Sequence, residues 1–276
     1  MTRKIVVVYK SDNGDLGESL NVLTQSLKDY DVTHVPREDL LEKDTRGALV
    51  LVAGGDGTLL GASHRILDNY SLVMGVRLRE RSAGYYTACD VEKITEAVQK
   101  VIDGKEGRDY KVVRYPRLEC IMHTDSGNWV RTDLALNEFF IANTCAYFPS
   151  KYTIMLDHAE YNQRSSGLIV CTQQGYGGWA KWCRTSSPAF PNEGPKSPDE
   201  FHVYVRELMG KGPVSLDWFP VGRDMKFLVR SDMHRGYIVP DSFDEYHFNR
   251  GTELEVRFSD RPLAVVRLEG KKWRTW

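Results

Sequence analysis

The feature that most constrains this chain is a glycine-rich pentapeptide, Gly54-Gly55-Asp56-Gly57-Thr58, which lies between two apolar segments. Residues 48–53 before it form an unbroken apolar run, which is typical of a strand buried on both faces. Residues 59–67 after it fit a helix with Thr58 near its N-cap. Free backbone N–H groups converge where such a strand turns into a helix, and they bind anions there. The sequence therefore predicts an α/β sheet with an anion-binding turn at one edge.

The composition of this turn leaves two interpretations open. Three glycines permit close approach of a phosphate and positive φ angles, and the carboxylate of Asp56 between them suggests a proton acceptor or a metal ligand. The same residue types are also common in ordinary turns, where an Asp side chain bonds its own backbone. Two familiar phosphate motifs are excluded, because no Gly-Lys-Ser/Thr follows and because Gly61 comes one residue too late for G-x-G-x-x-G.

Length and charge set the broad class of the protein. The 276 residues suffice for one large domain or two modest ones, and the formal net charge is −1. A nearly neutral chain gives no electrostatic reason to expect nucleic acid or an anionic membrane as the main partner. No apolar run approaches the about 20 residues of a membrane span, and residues 5–9 are too short a run for a secretory signal. We therefore expect a cytoplasmic protein that binds neither nucleic acid nor membrane.

The cysteines indicate reduced thiols rather than a disulfide framework. They are five in number and scattered along the chain, at positions 89, 120, 145, 171 and 183. Cys120 and His123 have the spacing of a metal-binding pair, but positions three apart on a strand face opposite ways and no second pair follows. We therefore assign no metal-ligating residues.

Residues 1–108 have the pattern of an α/β domain. The predicted strands are 5–9, 32–35, 48–53 and 72–76, and the predicted helices are 16–30, 59–67 and 91–103. Alternation of strands with amphipathic helices implies a doubly wound parallel sheet.

Residues 109–276 are predicted to form a second, antiparallel β domain, either a sandwich or stacked sheets. Segments with period-two hydrophobicity dominate this part of the chain, at 111–123, 129–143, 151–157, 167–172, 225–231, 236–239 and 253–268. Residues 124–128 are a strong hairpin turn, and residues 184–200, with four prolines, are best interpreted as a loop. The last strands of the chain could pack back on the first domain.

An α/β domain that carries this pentapeptide and is followed by a β domain resembles the NAD kinase family. Three further segments match that family in the same order: Arg81-Ser82-Ala83-Gly84-Tyr85-Tyr86, Leu134-Ala135-Leu136-Asn137-Glu138 and Ser165-Ser166-Gly167-Leu168-Ile169-Val170-Cys171-Thr172. The first and third are most similar in sequence to the divergent branch typified by mitochondrial NAD kinase. The resemblance spans nearly the whole chain.

The resemblance implies ATP- and Mg²⁺-dependent phosphorylation of NAD, with a role for each matching residue. Asp56 would take the proton from the 2′-hydroxyl of the adenosine ribose. Donor phosphates would be held by the turn and by an arginine of the following loop, which gives the set Gly54, Gly55, Gly57, Thr58 and Arg81. NAD would be held by Asn137, Glu138, Ser166, Thr172, Gly175, Gly178 and Trp179. Family members are typically dimers or tetramers through the β domain, so a homo-oligomer is expected.

One loop departs from the family pattern. Most members have Gly-Ser-Thr-Ala-Tyr where this chain has Gly175-Tyr176-Gly177-Gly178-Trp179, so two hydroxyls are missing and an indole replaces the phenol. An indole can still stack on a nucleobase. Ser166 also stands where most members carry an acid toward the nicotinamide. Asp241 resembles the Asp of a late Asp-Gly pair and is expected to be a structural turn.

The chemistry of phosphoryl transfer fits these assignments. The reaction needs alignment and charge neutralisation more than covalent help from the protein. Mg²⁺ would bridge the ATP phosphates, and Asp56 would orient or deprotonate the acceptor hydroxyl. Without a Walker lysine, further positive charge must come from arginine, and Arg77, Arg79 and Arg81 follow the strand 72–76. For at least two of these three, a solvated loop is the favoured interpretation.

Three functions are therefore compared. The first is an NAD kinase, which makes ADP and NADP from ATP and NAD. The second is a catalytically silent dinucleotide-binding protein, which the altered loop at 175–179 motivates. The third is a kinase for a lipid or another small alcohol, because GGDGT-type turns also occur in diacylglycerol and sphingoid kinases. The third function predicts an apolar cleft and gives Asn137 and Glu138 no role. The sequence leaves open whether the donor is ATP or polyphosphate and whether NADH is accepted.

Overall fold

A computed structural model describes residues 4–11, 17–78, 84–124, 126–186, 190, 193–210 and 215–268. They form two compact units. One contains the residues up to Tyr115 together with those from Arg261 onward, and the other is Pro116–Asp260. We call them the α/β domain and the β domain. Arg79 and Arg81 lie outside the described residues. Among the described helices, none is long and apolar enough to cross a membrane.

In the part of the chain that the structure describes, the α/β domain is built on one seven-stranded sheet. Its strands are β1 (Ile5–Tyr9), β2 (Val32–Pro36), β3 (Leu49–Ala53), β4 (Leu72–Arg77), β5 (Thr87–Asp90), β6 (Tyr110–Tyr115) and β19 (Leu263–Leu268). The order is β2-β1-β3-β4-β19-β6, and β5 also pairs with β4. All pairs are parallel except β19 with β6. The predicted parallel sheet is confirmed, and the last described strand of the chain is part of it.

Among the described residues, four α-helices accompany this sheet: α1 (Gly17–Ser26), α2 (Glu42–Thr45), α3 (Asp56–Ser63) and α4 (Ile94–Ile102). Short 3₁₀ turns occupy Arg37–Asp39 and Val91–Lys93. In α4 the buried residues are Ile94, Ala97, Val98 and Val101, the i, i+3, i+4, i+7 stripe that the sequence predicts. The helix predicted over 16–30 is shorter, because residues 27–30 form turns.

The β domain contains twelve described strands: β7 (Leu118–His123), β8 (Trp129–Arg131), β9 (Glu138–Asn143), β10 (Ser150–Leu156), β11 (Ala159–Ser165), β12 (Leu168–Cys171), β13 (Glu200–Val205), β14 (Trp218–Gly222), β15 (Phe227–Ser231), β16 (Gly236–Pro240), β17 (Tyr246–Phe248) and β18 (Glu253–Phe258). It also has a 3₁₀ turn at Gln174–Gly177 and helix α5 (Trp179–Ser186), which the sequence analysis did not predict.

These strands form the predicted antiparallel sandwich. One sheet has the order β11-β10-β15-β18-β7-β8, and the other β14-β13-β12-β9-β16-β17. Alternate residues of each strand enter a shared core, as Leu168 and Val170 of β12 do, while Ile169 and Cys171 face the opposite side toward α5.

Three of the segments with period-two hydrophobicity each contain two strands. Segment 111–123 is β6 and β7, segment 129–143 contains β8 and β9, and segment 253–268 is β18 and β19. In each case the two halves lie in different sheets. Pro116 and Pro262 fall at two of the breaks, where their missing N–H groups end the ladder. Period-two hydrophobicity continues across such a break because both halves are half-buried strands.

Candidate active site

The glycine-rich turn connects β3 to α3, as the sequence predicts. All five residues of β3 are buried, and the N–H of Gly54 continues the sheet by donating to the carbonyl of Val76 at 2.9 Å. Gly55 is the N-cap, with φ −96° and ψ −175°, and α3 begins at Asp56. Thr58 is therefore not the N-cap itself but lies near it, in the first helical turn. Thr58 N–H donates to the carbonyl of Gly55 at 3.0 Å, so the N–H groups that this helix start can offer to an anion are those of Gly55, Asp56 and Gly57.

The glycines of the turn serve close contact rather than unusual backbone angles. None of Gly54, Gly55 and Gly57 has a positive φ, contrary to the role anticipated from sequence. A Cβ on Gly54 would lie 2.5 Å from Thr58 Oγ1, so this glycine makes room for a buried threonine. A Cβ on Gly57 would meet nothing within 4 Å. Gly57 therefore leaves open space beside the first turn of α3.

This contrast gives a prediction for two alanine variants. Gly57→Ala is expected to leave the free energy of unfolding within about 1 kcal/mol of native, because alanine is favourable in a helix, while weakening ATP binding by filling space beside the turn. Gly54→Ala is expected to destabilise the protein by about 1 to 3 kcal/mol through overpacking on Thr58. Urea unfolding and calorimetric titration with ATP measure both quantities. Equal effects of the two variants on stability would contradict the different roles given to Gly54 and Gly57.

The carboxylate of Asp56 is held by the loop that precedes β5. Tyr85 N–H donates to Oδ2 at 3.1 Å, and Tyr86 N–H donates to Oδ1 at 2.9 Å. Gly84 has φ +69°, a conformation that favours glycine and brings these two N–H groups to the same side chain. A carboxylate has about four lone-pair positions, so Asp56 retains capacity to accept a proton from a ligand. Burial, followed by the neighbouring Tyr115, raises the pKa of Tyr85 to about 12.

In the β domain, Asn137 and Glu138 stand at the start of β9 and are fixed by one buried carboxylate. Asp241 accepts hydrogen bonds from the backbone N–H groups of Leu136, Asn137 and Glu138 at 2.8, 2.7 and 3.2 Å. It is 2% exposed and has φ +50°. The turn expected at Asp241 is therefore present, and it holds the segment that carries the predicted NAD-binding residues.

Thr172 and Gly175 pack against the same segment from the end of β12. The hydroxyl of Thr172 donates toward the carbonyls of Leu136 and Asn137 at 2.8 and 3.0 Å and accepts from Gly175 N–H at 3.1 Å. A Cβ on Gly175 would lie 2.1 Å from the carbonyl oxygen of Asn137. Gln174, which sequence reasoning missed, donates to the carbonyl of Leu136 at 2.7 Å. These hydrogen bonds and the close approach of Gly175 thus join residues 136–138 to residues 172–175.

The carboxylate of Glu138 is buried, and the hydrogen bonds of the described residues satisfy it only in part. It is 5% exposed, and within the described parts of the chain its Oε2 has no hydrogen-bond partner. A Cβ on Gly178 would lie 3.3 Å from this oxygen and 3.4 Å from Nδ2 of Asn137, so both polar groups converge beside Gly178. Burial, reinforced by the charge of Asp241, raises the pKa of Glu138 well above its usual value. A buried acceptor of this kind is suited to a hydroxyl donor from a ligand.

The raised pKa of Glu138 predicts a pH dependence of stability. The folded state favours the neutral acid, so stability is fully present below the unfolded pKa of 4.5 and is lost as pH rises toward the folded pKa. Glu138→Gln removes this titration. We expect its stability relative to native to increase by up to about 1.4 kcal/mol per pH unit above that value. Urea unfolding of both proteins between pH 5 and pH 8 measures the difference, and parallel curves would contradict the prediction.

Trp179 and Ser166 both contact Arg206. Trp179 opens α5 and packs on Phe140 with ring centroids 4.6 Å apart, and the Arg206 guanidinium lies 5.6 Å from the Trp179 ring. Ser166 N–H donates to the backbone carbonyl of Arg206 at 2.8 Å. Ser166 precedes β12 whereas Thr172 follows it, so the two sit at opposite ends of that strand. The structure thus groups Asn137, Glu138, Thr172, Gly175 and Gly178, and it places Trp179 beside Phe140 and Arg206.

The curated relatives that the chain matches are NAD kinases. That of Clostridium beijerinckii is 32% identical over 130 residues, which are 46% of this chain and 43% of the relative. That of Acidithiobacillus ferrooxidans is 29% identical over 157 residues, 55% of this chain and 50% of the relative. The chain thus matches about half the length of these relatives. No protein-family model matches it.

Two solved structures share the fold along nearly the whole chain. An NAD kinase from Archaeoglobus fulgidus in complex with ATP has a TM-score of 0.71 and 21% identity, and the match covers 98% of this chain and 94% of the other. Yeast NADH kinase complexed with NADH has a TM-score of 0.80 and 14% identity, covering 99% and 85%. The resemblance to a mitochondrial branch stays a prediction. The chain is thus similar in sequence to NAD kinases over about half of its length, and it shares the fold of an NAD kinase and of an NADH kinase along nearly its whole length.

Proposed function

We propose that this protein is an NAD kinase, which transfers the γ-phosphate of ATP to the 2′-hydroxyl of the adenosine ribose of NAD. The observation that carries the proposal is the carboxylate of Asp56 at the first position of α3, fixed by two backbone N–H groups beside an anion-binding helix start. Phosphoryl transfer needs such a group to orient the acceptor hydroxyl and accept its proton. Relatives named NAD kinase support the same activity.

The glycine-rich turn would hold the donor phosphates through its backbone. The N–H of Gly54 is already bonded to Val76, so Gly54 acts by making room for Thr58. The backbone groups of Gly55 and Gly57 at the start of α3 are therefore the better phosphate ligands, together with the positive end of the helix dipole. A neighbour of the same fold was solved with ATP, which supports ATP as the donor.

Mg²⁺ would enter this site with the ATP phosphates. The ion usually keeps several waters and binds through one or two carboxylates plus substrate phosphates, where it neutralises charge during transfer. Asp56 is assigned to the acceptor hydroxyl, so the ion would be held mainly by the ATP phosphates and water. Within the described ranges, no group of three or more His, Cys, Asp or Glu side chains converges to hold a metal ion without substrate.

An arginine is proposed to supply further positive charge to the phosphates. Arg77 is engaged with Asp90, with Nε 2.6 Å from Oδ1. Arg81 lies beyond the described residues and stays our proposal for this role.

The adenosine end of NAD is assigned to the β domain. Asn137 and Glu138 would receive ribose and base polar groups, and Glu138 would gain the hydrogen-bond partner that its buried Oε2 lacks. Gly175 and Gly178, which have no side chains, would let segment 175–178 form a wall of the site close to Asn137 and Glu138. The indole of Trp179 would offer a stacking face. Thr172 would hold the wall in register. Ser166 is proposed to act toward the nicotinamide.

The cellular location and the oligomeric state of the protein are also proposals. Five scattered cysteines, four of them buried, support a reducing compartment such as the cytoplasm. Exposed Trp129, Tyr147 and Phe148 of the β domain support a homo-oligomer, because aromatic side chains are enriched in interfaces. Light scattering of the purified protein measures the oligomeric state.

The test of function is NADP formation by the purified protein with ATP, Mg²⁺ and NAD, together with calorimetric titration of NAD. NADP formation supports the kinase. NAD binding without NADP formation would support a catalytically silent binding protein instead. Absence of both would contradict the dinucleotide assignment and direct the search to other alcohols.

A further inference from the structure

An arginine from the last described strand lies against the loop that holds Asp56. Arg267 of β19 is 7% exposed, and its Nη1 donates to the carbonyl oxygen of Tyr85 at 2.7 Å. Its Nη2 donates to the hydroxyl of Tyr115. The guanidinium carbon lies 5.6 Å from the ring centroid of Tyr85 and 5.5 Å from that of Tyr115. Hydrogen bonds and aromatic faces together offset the cost of burying this cation.

One peptide group connects Arg267 to Asp56. The carbonyl of Tyr85, which accepts from Arg267, and the N–H of Tyr86, which donates to Asp56 Oδ1 at 2.9 Å, belong to the same peptide. A cation at the carbonyl polarises that peptide and strengthens its N–H as a donor to a carboxylate. The N–H of Tyr85 fixes the other carboxylate oxygen from the same turn of chain.

The surrounding rings restrict how this peptide can move. Tyr85 and Tyr86 meet edge to face with centroids 4.8 Å apart, and Tyr86 meets Tyr115 in the same manner at 5.6 Å. Tyr115 ends β6, which pairs with β19. One packed cluster therefore supports Asp56; it consists of Arg267, Tyr115 and the peptide between Tyr85 and Tyr86.

We propose that Arg267 is a positioning residue, which holds the carboxylate of Asp56 in its reactive orientation through the peptide between Tyr85 and Tyr86. The inference rests on the proposed function for its catalytic consequence and on geometry for the contact itself. Arg267 acts through Asp56 and is not assigned any contact with ATP or NAD. A displaced carboxylate would meet the acceptor hydroxyl in the wrong place, while the substrates would still bind.

The variants Arg267→Gln and Arg267→Lys separate charge from bulk. For Arg267→Gln we expect kcat for NADP formation to fall about 10- to 100-fold, the range that a small misplacement causes. KM for ATP and for NAD should stay within about twofold of native, because the substitution removes no contact with either substrate. Arg267→Lys keeps the cation but loses the forked geometry that reaches both Tyr85 and Tyr115, so it should recover only part of kcat. Arg257→Gln is the matched control, since this arginine of β18 bonds Glu119 at 2.8 Å in the other domain, and it should leave kcat within about twofold.

Amide hydrogen exchange tests the contact without turnover. By NMR, the N–H groups of Tyr85 and Tyr86 should exchange faster in Arg267→Gln than in the native protein, and Arg267→Lys should restore part of the protection. Unchanged exchange, or unchanged kcat in folded Arg267→Gln, would overturn the proposal. If Arg267→Gln does not fold, the same two measurements on Arg267→Lys and Tyr115→Phe decide, with intermediate losses expected and native values contradicting it. If the native protein makes no NADP, the proposed function fails, and the exchange data alone judge the contact.

Discussion

Asp56→Asn is expected to reduce kcat for NADP formation by about 10²- to 10⁴-fold, the usual contribution of a positioned general base. The carboxylate sits at the start of α3 with both oxygens oriented by the N–H groups of Tyr85 and Tyr86. An amide cannot accept the proton of the ribose hydroxyl. It also turns an NH₂ toward one of these two donors, so we expect a loss of about 1 to 3 kcal/mol in the free energy of unfolding. Steady-state kinetics and urea unfolding measure the two effects.

The control for this variant is a second acid of the same sheet. Asp90, at the end of β5, pairs with Arg77 at 2.6 Å, and its side chain is about one-third exposed at 35%. Asp90→Asn removes one carboxylate from the domain without touching the turn, so kcat should stay within about threefold of native. NAD binding by Asp56→Asn should be retained. A variant that keeps more than a tenth of native kcat would contradict the role of Asp56.

Gly175→Ala is expected to have the largest structural effect of any single methyl group in the candidate site. Its Cβ would lie 2.1 Å from the carbonyl oxygen and 2.6 Å from the Cα of Asn137, both backbone atoms that cannot rotate away. Overpacking of this kind costs about 1 to 3 kcal/mol or more. Because the shift displaces Asn137 and Glu138, NAD binding should weaken at least about tenfold, which is about 1.4 kcal/mol.

Gly222→Ala is the matched control in the same domain. There the new methyl group would meet only the Met225 side chain, at 3.9 Å, which is ordinary van der Waals contact. Stability and NAD affinity should therefore stay close to native. Thermal unfolding and calorimetry compare the two variants, and native-like NAD affinity in Gly175→Ala would contradict the assignment of this wall.

The sequence predicts the elements whose signals are local. The apolar run of β3, the glycine-rich turn and the start of a helix are adjacent in the chain, and the structure places them as strand, turn and helix. The buried stripe of α4 follows directly from helical periodicity. These features need no knowledge of distant contacts, which is why pattern and physical chemistry suffice to predict them.

Other features depend on contacts between distant residues and could not be predicted. Period-two hydrophobicity is the same in any half-buried sheet, so it does not show that β6 and β7 part at Pro116. Arg267 reaches the Tyr85 carbonyl across 182 positions of the sequence, and Asp241 reaches Leu136 across 105. No spacing within either segment indicates such a partner. Helix α5 is only eight residues long and lies between the glycine-rich loop 175–178 and the prolines that begin at Pro188, so those loop signals dominate the sequence around it.

The most direct test of the account is the ³¹P NMR spectrum of the product formed by the native protein from ATP, Mg²⁺ and NAD. We predict the signal of a phosphomonoester on the 2′-oxygen of the adenosine ribose, formed together with ADP. Its absence while both ATP and NAD bind, or a phosphate on another hydroxyl, would contradict the assignment of Asp56 to that hydroxyl.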